Sequence, residues 1–403
     1  MPHLNPWVLS SSILLLVVGV FGVAANNAPV PPAYHGANTF WPYQCIDTMK
    51  ASRDDARNWA SKPDLKDLID KQMSTIAATG ANCVAIDTPY DAEFLPVLQT
   101  WVAGARAHHL RVWFRGNFSG WEGWFNYPKG MAETELLTRT KAFIVANPNL
   151  FEDNDIFTAA PEAENGGPFN QVEPGAYQAY RSFLIKESDQ TDADFNSIHK
   201  HVVTNWSSMN GGLARRMLDQ PTIDKLGGTV TIDHYIADPA TMGDYINYFA
   251  HTFNANIVIG EWGAPIPEFN GTMTASDQAS FISQLLQQMA VRADDVYAVN
   301  YWTLSDGSTA IIDDNNAPLP AYNVLKSYYS PGVILGTIKR NGKAISGASI
   351  VVDGVFVTKS DKYGNYAILV PSGERKISVS VPNNIELSDT VNVPIGNNVV
   401  KNF

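Results

Sequence analysis

Between residues 43 and 302 the chain repeats one pattern eight times: a short apolar run of strand character, separated from the next by a stretch with helical spacing of Leu, Ile, Val and Ala. The runs are 43–47, 83–88, 111–115, 156–160, 201–205, 230–234, 257–261 and 296–302, and segments such as 65–80 and 95–109 sit just ahead of the next run. Eight such units over roughly 300 residues have the size and rhythm of a (β/α)8 TIM barrel, an α/β fold. A doubly wound open sheet would need a Gly-rich phosphate turn after an early strand, and the sequence has none.

In a barrel of this kind the chemistry lies just past the C-terminal ends of the strands. Here the runs end in Asp47, in Asp87 and Tyr90, in Arg115 and Asn117, in the PEAEN segment from Pro161 to Asn165, in Asn205-Trp206, in His234-Tyr235, in Glu261-Trp262 and in Tyr301-Trp302. An aromatic loop with Phe118, Trp121, Trp124 and Phe125 follows the third. Flat rings stack on the CH faces of sugars while amides and charged groups bond the hydroxyls. Arg115, Asn165, Asn205, Trp206, His234, Tyr235, Trp262 and Trp302 are therefore expected to bind a carbohydrate substrate.

Two carboxyl groups stand out. Glu261 closes the apolar strand of IVIGEWGAP, where an ionised group is costly unless it is paired or hydrogen-bonded. A second carboxyl closes strand four, across the barrel from strand seven. Glycoside cleavage with retention uses such a pair about 5–5.5 Å apart. Glu261 is then the nucleophile, flanked by Arg115 and bonded by Tyr235, and its partner is the acid/base. The partner is Glu162, where the strand pattern ends; Glu164, two residues further into the loop, is the alternative.

A Glu closing strand four, a Glu in an IGEWG setting closing strand seven, a His-Tyr after strand six and a Trp on strand eight together resemble clan A of the glycoside hydrolases, which includes the cellulase-like family five. The resemblance covers residues 36–330 and implies a retaining O-glycosyl hydrolase acting on β-linked oligo- or polysaccharides, with no cofactor and no metal. Clan members usually carry Asn-Glu at strand four, and this chain has Pro161-Glu162. Proline has no donor for the sugar 2-hydroxyl contact that the Asn makes, so either Asn165 or Asn205 substitutes or the substrate is unusual there.

The rest of the chain supplies context. Residues 1–25 hold an apolar run too short for a membrane span of about 20 residues and end in Val23-Ala24-Ala25, the pattern of a secretory signal, although without Lys or Arg ahead of the run. Residues 26–35 read as a Pro-rich linker. A secreted, periplasmic or cell-surface monomer without stable membrane insertion is expected, with an uncleaved anchor as the other reading of the N-terminus. The formal charge of −12 and the lack of a Lys/Arg-rich stripe exclude nucleic acid as a partner. Cys45 and Cys83 fall on neighbouring strands; with Asp47 level with Asp87 they would be offset by two residues, and both are expected as buried thiols.

Beyond Pro331 the composition shifts to short alternating runs at 333–338, 348–352, 366–370, 376–381 and 391–393, separated by turns such as Asn341-Gly342 and Asp353-Gly354. Residues 332–403 read as a small all-β sandwich, and GTIKRNGKAISGASIVVDG with SDKYGNYAILVPSG resembles the carboxypeptidase regulatory-like domain, a transthyretin-like fold. Two competing functions follow. The missing strand-four Asn would suit a sugar-binding pseudoenzyme on the same barrel. A metal-dependent barrel hydrolase would need an HxH on strand one, where this chain reads YQCID.

Overall fold

The structure, a computed structural model, describes residues 38–381 and 385–403. The expected signal segment 1–25 and linker 26–35 lie outside the described residues. Among the described residues no helix is long and apolar enough to cross a membrane.

Eight parallel strands form one curled sheet: β1 Tyr43–Asp47, β2 Cys83–Ile86, β3 Arg111–Phe114, β4 Ile156–Phe157, β5 Met209–Asn210, β6 Thr229–Asp233, β7 Asn256–Trp262 and β8 Val296–Tyr301. Their order is β4-β3-β2-β1-β8-β7-β6-β5, with helices such as Leu65–Ala77, Leu95–Ala107, Tyr177–Ser197 and Ala275–Ala290 between them. This is the arrangement of a (β/α)8 barrel. Strand alternation separates two apolar populations. Tyr43, Cys45, Cys83, Ala85, Trp113, Ile156, Val258 and Ala298 fill the interior, whereas Ile46, Val84, Ile86, Val112, Phe114, Ile232 and Ile259 belong to the cluster packed against the helices. One step above the interior plug the same alternation places Asp47, Arg115, Asp233 and Asn300, so the barrel is capped by a polar layer at the C-terminal end of its strands.

The wall between β4 and β5 departs from expectation. Residues 201–205 do run beside β4, but they meet it through the single bridge Ile156↔Val203, supported by Asn154 N–H to His201 O (2.8 Å) and Phe157 N–H to Val203 O (2.9 Å). The ladder to β6 forms only later, at Met209–Asn210. Between the two pieces Trp206 turns into the barrel and packs edge-on to Tyr43 and Trp113 at centroid distances of 5.2 and 5.0 Å. The strand is split at the point where its largest side chain fills the interior.

The two cysteines require a correction. Cys45 is paired directly with Cys83, their Cα atoms are 4.3 Å apart, and they form a disulfide. Asp47 is level with Ala85, not with Asp87, which removes the two-residue offset that argued against a bond.

After helix Pro320–Tyr329 the chain is all β. Strands β9 Gly332–Thr337, β10 Lys339–Arg340, β11 Lys343–Ala344, β12 Ser349–Val352, β13 Phe356–Lys359, β14 Asn365–Val370, β15 Gly373–Val381, β16 Ile385–Val393 and β17 Asn398–Val400 follow. They build a four-stranded sheet, β13-β12-β15-β16, a three-stranded sheet, β14-β9-β17, and the hairpin β10-β11. Asn341-Gly342 and Asp353-Gly354 both have positive φ at each residue, which tight hairpin turns demand. β10, β11, β13 and β17 have no counterpart in the sequence reading; all are short, and the last two carry exposed valines, Val357 and Val400. This region touches the barrel where Phe356 stacks on Phe40 and where Ser372 N–H donates to Ser327 O at 2.9 Å.

Candidate active site

The centre of the polar layer is Arg115, just past β3 and 1% exposed. Its Nη2 donates to Glu261 Oε1 at 2.6 Å and to Asp233 Oδ2 at 3.1 Å, and Nη1 donates to Gly260 O at 3.0 Å. Its Nε lies 3.9 Å from Asp47 Oδ2 and 3.8 Å from Asp87 Oδ1. Its guanidinium lies over the Trp113 ring, 5.0 Å from the centroid. One cation therefore faces four carboxyl groups in a water-poor place, and protons must make up the difference. Burial, with Glu261 adding to it, pushes Asp47 up to about 6, and burial pushes Asp233 up to about 7 against the pull of Arg115. Asp87 is raised well above the carboxylate range by burial and by Asp47.

A bulge in β7 aims Glu261. The β6 register passes from Ile232↔Ile259 to Asp233↔Glu261, and the β8 register from Ile259↔Val299 to Trp262↔Tyr301, so β7 carries one extra residue beside both neighbours. Bulges re-aim side chains. Val258 and Gly260 point inward, and without the extra residue Glu261 would face the helices. With it, Glu261 reaches Arg115, and Tyr235 donates its hydroxyl to Glu261 Oε2 at 2.8 Å. Trp262 goes the other way, fully buried and edge-on to Tyr301 at 5.0 Å. Gly260 is required here: a Cβ would lie 2.3 Å from Asp233 Oδ1.

Across the mouth, Glu162 sits in the left-handed region (φ 46°, ψ 56°), its N–H bonded to Ser208 O at 3.1 Å and its Oε2 accepting from Asn165 Nδ2 at 3.0 Å. Burial, then Asp233 and Glu261, hold its carboxyl well above the usual range. Carboxylate oxygens of Glu162, Asp233 and Glu261 all lie within 4.8 Å of one another. A divalent ion could be chelated by three such groups, but Arg115 already donates to two of them and its charge opposes a second cation. Glu164 is engaged elsewhere, accepting from the Tyr180 hydroxyl at 2.6 Å and from Asn210 N–H at 2.7 Å.

The structure thus brings Glu162, Glu261, Arg115, Asn165 and Tyr235 together and corrects the placing of others. Trp206 is interior packing and Asn205 bonds Leu226 O below β6, both away from the mouth, because the fifth strand is split. Trp262 is core because of the bulge. Arg115 lies beneath Glu261 instead of lining the cleft. His234 is buried against Tyr245, ring centroids 4.0 Å apart, and burial lowers it to about 4, so it is neutral at ordinary pH. Trp302 remains partly exposed at the mouth, with Lys50 5.3 Å from its ring and Tyr235 edge-on at 5.8 Å. Sequence reading missed Asp233 and Glu122. Alternation through Thr229, Thr231 and Asp233 would have found the first; the second, pushed up to about 7 by burial, sits on a short loop helix with no periodic signal.

No family model matches the chain, and no curated protein matches it in sequence. Solved structures do resemble it. The beta-glycosidase BGL167 aligns with a TM-score of 0.50 and 10% identity over 73% of this chain and 96% of its own. The exo-beta-1,4-mannosidase Op5Man5 from Opitutaceae bacterium strain TAV5 gives 0.48 and 12% over 71% of this chain, which spans 59% of that one. A fungal beta-1,4-galactanase gives 0.47 and 14% over 71% of this chain and 99% of its own. At these identities the likeness of the first shows the fold: the barrel of this chain is built like that of a known glycosidase.

Proposed function

We propose that the chain is a retaining glycoside hydrolase acting on β-linked oligo- or polysaccharides, with Glu261 as nucleophile and Glu162 as acid/base. The observation that carries this is the spacing: one oxygen of each carboxyl lies within 4.8 Å of the other, which supports the short separation a double displacement uses over the wider one, about 6.5–9.5 Å, that a water-mediated inversion needs.

In the first step Glu261, oriented by Arg115 and Tyr235, attacks the anomeric carbon while Glu162 gives its proton to the departing oxygen. The raised carboxyl of Glu162 suits a group that must start protonated. In the second step Glu162, now ionised, takes a proton from water, and the water oxygen displaces Glu261. Asn165, on Glu162, stands where it can follow that proton exchange, and Trp302, partly exposed at the mouth, is the ring offered to a sugar. The Cys45–Cys83 disulfide agrees with a secreted or periplasmic chain, since such bonds persist in oxidising compartments. The C-terminal sheets are read as a transthyretin-like sandwich, residues 332–403.

The test uses aryl β-glycosides with a good leaving group. Glu261→Ala should abolish turnover. Glu162→Ala should show a burst of aglycone and recover with azide, and NMR of the wild-type product should show the substrate anomer retained. Azide rescue of Glu164→Ala in place of Glu162→Ala, or an inverted first product, would overturn the assignment.

A further inference from the structure

The donors of the strand-four segment can be followed one by one. Phe157 N–H goes to Val203 O and Thr158 N–H to Phe114 O at 2.9 Å, where the ladder stops. The next two N–H groups, of Ala159 and Ala160, are buried and both donate to one atom, Oε1 of Glu187, at 3.0 and 3.1 Å. Pro161 has no N–H, and Glu162 N–H goes to Ser208 O. Glu187 is 2% exposed and lies in the middle of helix Tyr177–Ser197. Seven residues earlier, two turns along and on the same face of that helix, Tyr180 donates to Glu164. The helix thus holds the loop at both ends, through Ala159-Ala160 and through Glu164, and Glu162 is the residue between the two holds.

We propose that Glu187, supported by Tyr180, is the positioning residue for the strand-four acid: its carboxyl replaces the missing continuation of the ladder and fixes the turn that aims Glu162 at Glu261. Two buried N–H groups would otherwise have no acceptor, which a folded chain avoids. The clamp also accounts for Pro161. A residue that cannot donate is tolerated where the ladder has already ended and a side chain from a helix sets the backbone. Tyr90 and Tyr180 are the titratable groups facing Glu187, and neither bonds it.

The functional half rests on the glycosidase reading; the geometric half does not, and the experiment separates them. Hydrogen exchange of the segment 157–165 is compared in wild type, Glu187→Leu and Glu187→Gln. The Leu variant should lose protection about tenfold or more at Ala159 and Ala160, while Gln, which keeps the acceptor oxygen, should stay near wild type. Kinetics are then read on matched 2,4-dinitrophenyl and phenyl β-glycosides. Glu187→Leu should lower kcat on the phenyl glycoside about 100-fold, as loss of general acid catalysis does, with little change in the dinitrophenyl burst, and Gln should restore most of it. If Leu does not fold, Glu187→Asp, too short to reach both amides, carries the same comparison. Unchanged exchange overturns the clamp. Changed exchange with equal losses on both glycosides, or with no loss, overturns the positioning role. A wild type inactive on every glycoside overturns the glycosidase reading and leaves the clamp to be decided by exchange.

Discussion

Gly260→Ala is the smallest change that should disturb the whole polar layer. The new Cβ would lie 2.3 Å from Asp233 Oδ1 and 3.1 Å from both Arg115 Nη1 and Thr231 Cγ2. Relief requires Asp233 to withdraw by about 1 Å, which takes its 3.1 Å bond to Arg115 beyond hydrogen-bonding range. Overpacking costs about 1–3 kcal/mol and a lost bond to a charged group about 1.5–3 kcal/mol, so a total near 3–5 kcal/mol is expected. At roughly 2 °C per kcal/mol for a domain of this size, the melting midpoint should fall on the order of 10 °C. Activity should suffer separately. Arg115 donates to Asp233 and Glu261 through the same nitrogen, so a shifted guanidinium turns Glu261, the proposed nucleophile, and misplacement of this order costs about 100-fold in kcat. Thermal melts and aryl-glycoside kinetics measure both. Combining Gly260→Ala with Asp233→Ala should destabilise less than the sum of the two, because the second change removes the atom that clashes. A single variant with unaltered midpoint and kcat, or a strictly additive double variant, would refute the packing argument.

Other expectations follow from the same geometry. Loss of the Cys45–Cys83 bond in a Cys45→Ala/Cys83→Ala variant should lower stability by about 4 kcal/mol for a 38-residue separation, and thiol titration of the denatured, unreduced chain should find no free thiol; two free thiols would refute the pairing. Asp233 and Glu187 are pushed up to about 7 chiefly by burial, so the folded chain holds protons that the unfolded chain releases near pH 4. Their stabilising contribution is full below about pH 4 and is lost as pH rises through 7, so the denaturation midpoint should be lower at pH 8 than at pH 5, and a rise would count against it. Ending the chain after Ser330 should keep activity on a small aryl glycoside but lower the melting temperature, because Phe40, which packs on Tyr328, loses the cover of Phe356; an inactive, folded truncation would show that the C-terminal sheets shape the site.

The sequence disclosed the barrel through the alternation of apolar runs with helical stretches and placed Asp47, Arg115, Glu162 and Glu261 at strand ends, because each closes or follows a continuous apolar run of a strand buried on both faces. It could not disclose the bulge. An extra residue at Gly260-Glu261 leaves the pattern of hydrophobicity intact while exchanging the faces of Glu261 and Trp262. Nor could it fix the register of Cys45 against Cys83, since parallel strands joined by long helical crossovers have no turn to set it. Trp206 misled for a third reason: an indole after an apolar run fits a sugar platform and a barrel plug equally well, and only the split of the fifth strand decides between them.

That split has a consequence for how the molecule fails on heating. The wall from β2 through β1, β8 and β7 to β6 is laddered throughout and carries the disulfide, whereas β4 and the loop after it meet the fifth segment through one bridge and a few scattered backbone bonds. Local opening favours regions with few backbone bonds, so the barrel should part at this seam before it melts as a whole. Glu162 lies against the seam and Glu261 on the firm wall, so the two carboxyls separate while the bulk of the sheet is still intact. Catalysis would then fade at a temperature below the calorimetric transition, and a ligand spanning both carboxyls would close that gap by stitching the soft side to the hard one.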